Sequence, residues 1–130
     1  MAKIVPFRAL RYDTSRIENP DLVMAPPYDV ISPSLQETLY HRSPVNVVRL
    51  ILGKTSPEDS ETDNRYTRSA ADFEQWQQEE VLQRDGAPSV YLYDQEYRTE
   101  AGSVVVRKGF MALTRLEDFS SGVVKPHETT

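Results

Sequence analysis

Prolines set the first limit on how this chain can fold. The sequence of 130 residues contains nine prolines, and each one fixes its own φ angle and removes a backbone hydrogen-bond donor. The pair Pro26 and Pro27 forces its segment to run extended and stiff, which holds Tyr28 and Asp29 in a fixed direction. With only 38% hydrophobic residues, we expect one modest core surrounded by much irregular chain.

The composition excludes several classes of protein. The chain has no cysteine, which rules out disulfides, thiolate metal sites and a cysteine nucleophile. No apolar run approaches the roughly 20 residues that a membrane-spanning helix needs, and residues 1–10 lack the apolar stretch of a signal peptide. The formal net charge of −5 disfavours nucleic acid as a partner. We therefore expect a cytoplasmic protein with no membrane partner and no metal site.

Two segments carry helix signals. Ser32 is suited to cap a helix that begins at Pro33 and continues to about Arg42. The segment 65–84 repeats apolar side chains at helical spacing and is closed by Asp85-Gly86, so it predicts the main helix.

Strand signals occupy much of the remaining chain. Residues 3–10 predict an edge strand, because Pro6 cannot donate to a ladder. The apolar, β-branched run 46–52 predicts a strand buried on both faces. Residues 89–97 and 104–113 predict an antiparallel hairpin. The fold class that follows is α+β, a small mixed or antiparallel sheet with two main flanking helices and a C-terminal β-hairpin.

The densest group of polar side chains is Pro126-His127-Glu128-Thr129-Thr130. Such a run is suited to start a helix, whose N-terminal N–H groups bind phosphate, and Glu128 is then placed to act as a general base on a substrate hydroxyl. The alternative is an exposed polar chain end.

Three other residues are candidates for substrate or phosphate contact. Tyr28 and Asp29 either face a pocket or form a turn in which the carboxylate accepts backbone hydrogen bonds. Arg49 lies inside the predicted strand 46–52, so it needs a carboxylate or a ligand as its partner if it is buried. An anion clamp and a structural ion pair both remain open.

Several motifs resemble one family when they are taken in order. They are VPFRALRY, APPYDVIS, PVNVVRLILG and GFMALTRLEDFSSGVVKPHETT. The chain resembles the N-terminal part of the prokaryotic domain-of-unknown-function family one thousand and fifteen over essentially its whole length. Members of that family run to several hundred residues and carry a later Asp-Gly-His-His-Arg motif. The resemblance therefore implies a piece that stops just after the His-Glu-x-Thr motif.

The resemblance also implies a function, because the family is distantly similar to the ParB and sulfiredoxin superfamily of nucleotide-binding domains. That superfamily includes kinases of free serine. Residues 1–100 would form a family-specific N-terminal α/β region, and 101–130 would begin a truncated catalytic domain. Glu128 would be the catalytic base, with His127 beside it, while Thr129 and Thr130 would orient phosphate or substrate.

The implied activity is a nucleotide-dependent kinase of a small hydroxyl metabolite such as serine, with ATP or ADP and Mg as cofactors. This piece should need no cofactor and show no activity. Phosphoryl transfer needs hydrogen-bond donors around the nucleotide phosphates, and the resemblance implies that later residues would supply these donors. Two alternatives stay open: a nucleotide-binding regulatory module without turnover, and a protein-interaction or homodimerisation module in residues 1–100.

Overall fold

The structure, a computed structural model, describes residues 1–126 and has an α+β fold with small antiparallel sheets. The chain divides into two compact units. The helical unit comprises Leu10–Gln83, and the hairpin unit comprises Met1–Ala9 together with the chain from Arg84 onward. No helix within the described residues has the length and apolar character to cross a membrane.

The helical unit begins and ends with paired strands. Strand β2 (Leu10–Tyr12) pairs with β3 (Leu82–Arg84), and the Asp13 N–H next to it donates to the Val81 carbonyl at 2.9 Å. Between these strands lie four α-helices and one 3₁₀ helix. They are α1 (Pro20–Val23), the 3₁₀ helix Tyr28–Val30, α2 (Pro33–Arg42), α3 (Val48–Ile51) and α4 (Arg65–Gln78).

Helix α2 confirms its predicted bounds and its predicted cap. The Ser32 hydroxyl accepts the Leu35 N–H at 3.2 Å, and Pro33 occupies the first turn, where its missing N–H costs nothing. The helix buries Leu39 almost completely. Local signals in the sequence were sufficient here.

The strand predicted over 46–52 is wrong, because most of this segment forms helix α3. Through its Oδ1, the fully buried Asn46 accepts the N–H of Val48, the first residue of α3, at 3.0 Å. Its Nδ2 donates to the carbonyls of Leu22 at 2.8 Å and Met24 at 3.0 Å. These bonds to a distant segment override the β preference of the valines and isoleucine.

Helix α4 begins where predicted and ends earlier. Asn64 and Thr67 form a reciprocal capping box at its start, and Trp76 is its buried residue. The helix ends at Gln78 rather than near residue 84. The chain then passes through Glu80, which has a left-handed φ of 59°, and enters β3.

The core of the described residues lies in the helical unit. Its buried apolar side chains come from α1, α2, α3, α4, the first loop and β3, and Ser43 and Asn46 are the buried polar residues. The apolar members are Ile17, Val23, Leu39, Val48, Trp76 and Leu82.

The hairpin unit confirms the predicted antiparallel hairpin. Strand β4 (Tyr91–Arg98) pairs with β5 (Val104–Met111) through eight residue pairs, and Gly102 supplies the positive φ of 81° that the turn needs. Near the base of the hairpin, β1 (Ile4–Val5) pairs antiparallel with β6 (Leu113–Thr114). A 3₁₀ helix, Phe119–Ser121, follows. The predicted strand over 3–10 is therefore shorter, and Leu10 belongs to β2 instead.

Candidate anion-binding site

The site lies in the helical unit, where the chain after α3 meets the first turns of α4. A Cβ atom added to Gly53 would lie 2.9 Å from the Arg65 carbonyl oxygen and 2.9 Å from the Ser69 hydroxyl, so glycine permits this close approach. The Ser69 hydroxyl donates to the Arg49 carbonyl oxygen at 2.6 Å. The last turn of α3 is thereby joined directly to α4.

A cavity of about 290 Å³ beside this junction, which we name the basic cavity, is lined by four cationic side chains. They come from α3, from the segment that follows it and from α4, in a chain whose net charge is −5. One carboxylate, that of Asp72, also lines it. The cations are Arg49, Lys54, Arg65 and Arg68, and the other lining residues are Tyr40, Gly53, Ser69 and Ala71.

Arg49 is the least compensated of these cations. Its guanidinium carbon lies 4.3 Å from the centre of the Tyr40 ring, and one terminal nitrogen donates to the Tyr40 carbonyl oxygen at 3.3 Å. The Nε atom is buried and has no acceptor among the described residues. A buried Nε–H group without an acceptor is unfavourable, so an anion in the cavity that accepted from it would stabilise Arg49.

Lys54 shares the same aromatic ring and has a carboxylate partner. Its Nζ lies 4.5 Å from the centre of the Tyr40 ring and forms an ion pair with Glu37. The hydrogen bond from Lys54 lowers the pKa of the Glu37 carboxyl. The Lys54 backbone N–H donates to the Tyr40 hydroxyl at 3.0 Å. Tyr40 therefore positions both Arg49 and Lys54.

The two arginines of α4 have different partners. Arg68 is paired with Asp59 at 2.6 Å and with Asp63 at 2.7 Å. These bonds raise the pKa of the guanidinium, and the bond from Arg68 lowers the pKa of Asp59. Arg65 instead donates to the Tyr66 hydroxyl at 2.6 Å and stacks on its ring at 4.7 Å. Arg49 and Arg65 thus lack a carboxylate partner within residues 1–126.

A second cavity, of about 300 Å³, shares Gly53, Arg65 and Ser69 with the first. We name it the aromatic cavity, because two tyrosines contribute to its mainly apolar lining. The remaining residues are Tyr28, Leu50, Ile51, Leu52 and Tyr66.

Two of the three other candidates from the sequence reach these cavities. Arg49 lines the basic cavity from helix α3 rather than from the predicted strand, and Tyr28 lines the aromatic cavity from its 3₁₀ helix. Asp29 is exposed and lines neither cavity. The segment His127-Glu128-Thr129-Thr130 lies outside the described residues, so the catalytic assignment there stays a prediction.

Five polar residues of the basic cavity were missed from the sequence. Arg65, Arg68 and Ser69 are spaced three and four residues apart in α4, which places them on one helix face. That spacing was the available signal, but charged residues at such positions usually face solvent. Tyr40 and Lys54 gave no comparable signal, because their contact depends on the packing of α2 against the chain after α3. Among residues 1–126, no three His, Asp or Glu side chains are grouped so that they could hold a metal ion.

The structure defines an α+β protein with a small basic cavity. The comparisons place the chain in the family described as Protein of unknown function (DUF1015), whose profile matches residues 4–130. This confirms the family resemblance that the sequence motifs indicated. No curated protein and no solved structure matches the chain.

Proposed function

We propose that the helical unit binds a small phosphate-bearing ligand in the basic cavity. The observation that carries this proposal is the state of Arg49, whose Nε is buried without an acceptor and whose charge has no carboxylate partner among the described residues. Arginine suits phosphate because its planar group donates two parallel hydrogen bonds.

The four cations have separate tasks in this proposal. Arg49 and Arg65 neutralise the ligand, because neither is already paired with a carboxylate. Lys54 is held in place by Glu37, and Arg68 by Asp59 and Asp63. Their charges are already compensated, so they offer hydrogen-bond donors rather than net positive charge. A cavity of about 290 Å³ admits a phosphate or a compact organic phosphate.

Calorimetric titration of the chain with inorganic phosphate and with pyrophosphate tests this function. Arg49→Gln should weaken binding by about tenfold or more, since a hydrogen bond to a charged group contributes roughly 1.5–3 kcal/mol. Arg107→Gln is the matched control, because Arg107 is exposed on β5 of the hairpin unit. Equal losses in the two variants, or no binding of either probe by the natural chain, would overturn the proposal.

We also propose an enzymatic function for a family protein that continues beyond residue 130, supported by family membership and by the Pro-His-Glu-x-Thr segment. Glu128 would accept the proton of a substrate hydroxyl, whose oxygen would then bond to the terminal phosphorus of the nucleotide as the bridging P–O bond breaks. Thr129, Thr130 and His127 would orient the phosphate or the substrate, with Mg bound to the nucleotide.

Incubation of such a longer protein with ATP or ADP, Mg and serine tests the kinase proposal directly. Phosphoserine should form, and Glu128→Gln should abolish it. Unchanged turnover in that variant would remove Glu128 as the base. Nucleotide binding without product would favour a regulatory module without turnover. Light scattering over a range of concentrations would test whether the chain forms a homodimer.

A further inference from the structure

We infer that the ligand of the basic cavity carries a flat ring, which lies in the aromatic cavity beside it. This inference rests on the proposed function, because it concerns the other end of the same phosphate-bearing molecule. The ligand class is therefore a phosphate monoester that also carries an aromatic ring, either directly on the ester oxygen, as in an aryl phosphate, or through a sugar, as in a nucleoside monophosphate.

The aromatic cavity gathers exposed apolar side chains from three separate elements. Tyr28 of the 3₁₀ helix is 64% exposed, Ile51 of α3 is 42% exposed and Tyr66 of α4 is 69% exposed. Single exposed apolar residues are common on proteins, but their convergence on one concave site is typical of ligand pockets. A ring inserted there would remove apolar surface of all three side chains from water.

The two cavities share the residues that a single ligand would contact. Arg65 lines both, and its guanidinium already stacks on the Tyr66 ring at 4.7 Å. Gly53 and Ser69 also line both. Arg65 is therefore placed to contact the phosphate of a ligand whose ring lies next to Tyr66.

Stacking and apolar burial should give the ring a measurable contribution to the binding affinity. An aromatic contact with a base contributes roughly 1–3 kcal/mol, which corresponds to a gain in affinity of about fivefold to a hundredfold. Phenyl phosphate and adenosine monophosphate should therefore bind the chain at least about fivefold more tightly than inorganic phosphate. The two probes also distinguish a simple aryl ring from a nucleoside.

Tyr28 supplies the variants for the test, because it lines the aromatic cavity and not the basic one. Tyr28→Ser should reduce the preference for phenyl phosphate over inorganic phosphate several-fold, while Tyr28→Phe, which keeps the ring, should preserve it. Tyr97→Ser is the matched control, since Tyr97 is an exposed tyrosine on β4 of the hairpin unit. Binding is measured by calorimetry on the whole chain.

The outcomes separate this inference from the proposed function. Equal affinity for phenyl phosphate, adenosine monophosphate and inorganic phosphate would overturn the inference. In that case the effect of Arg49→Gln on phosphate binding would still test the anion site. A ring preference that persists in Tyr28→Ser would place the ring elsewhere and would also overturn it. Failure of all three probes to bind would overturn the proposed function itself.

Discussion

The helical unit and the hairpin unit differ in what holds them together. Every buried apolar side chain of the described residues belongs to the helical unit, which also contains the basic cavity and the aromatic cavity. The described residues of the hairpin unit include no buried side chain, and all residues of β5 are exposed. A two-stranded ribbon is only marginally stable alone. Packing thus orders one unit, while backbone pairing orders the strands of the other.

The largest expected effect comes from the core of the helical unit. Trp76 is 3% exposed, so Trp76→Ala should lower the free energy of unfolding by about 3–5 kcal/mol. Phe110 in the hairpin is 59% exposed, so Phe110→Ala should change it by less than about 1 kcal/mol. Urea denaturation followed by circular dichroism measures both. Similar losses in the two variants would contradict the contrast between the two units.

The second effect concerns the buried amide of Asn46. Asn46→Ala removes the acceptor of the Val48 N–H at the start of α3 and leaves the Leu22 and Met24 carbonyls without their side-chain donor. The free energy of unfolding should fall by about 2–3 kcal/mol. Gln95→Ala, at an exposed position of β4, should leave it almost unchanged. The same denaturation experiment measures it. An unchanged midpoint in Asn46→Ala would show that these bonds do not fix α3.

A smaller effect is expected at Tyr12. Its hydroxyl donates to the Val45 carbonyl at 2.8 Å, and burial raises its pKa from 10.0 to about 12. Tyr12→Phe should therefore cost about 1 kcal/mol at neutral pH. Because the pKa is raised on folding, Tyr12 stabilises the fold below pH 10.0 and loses this contribution as the pH rises towards about 12. The free energy of unfolding, measured across that pH range, should therefore fall less in Tyr12→Phe than in Tyr97→Phe.

The smallest effect is expected at Glu37 under acidic conditions. Lys54 lowers the pKa of this carboxyl from its ordinary value of 4.5, so the pair stabilises the fold above that pH. The contribution is lost as the pH falls below 4.5 and through the lowered pKa. Glu37→Gln should show a slightly shallower acid-induced loss of stability than Glu96→Gln, a control in the hairpin. Identical acid profiles would show that the ion pair is too weakly populated to matter.

The two units also show why parts of the fold were predictable. Helix α2 and the hairpin follow from signals a few residues apart, such as Ser32 with Pro33 and the alternation in β4. Helix α3 does not, because Asn46 acts on carbonyls that lie more than twenty residues away in the chain. The α+β class was correct because most elements depend on local pattern.

The candidate site was less predictable for the same reason. Arg49 and Tyr28 stood out as single residues, yet neither revealed a cavity alone. The close approach at Gly53 brings Arg49 and Lys54 against Arg65 of α4. No local sequence pattern indicates this contact.

The most direct test of the basic cavity is amide NMR of the isotope-labelled chain during titration with inorganic phosphate. Saturable shifts should centre on the backbone amides of residues 49–54 and 65–69, the two segments that contribute most of the cavity lining. The amides of β4 and β5 should remain unchanged. Arg49→Gln should shift the titration to higher phosphate concentration. Shifts confined to the hairpin, or shifts that never saturate and ignore that substitution, would contradict the account.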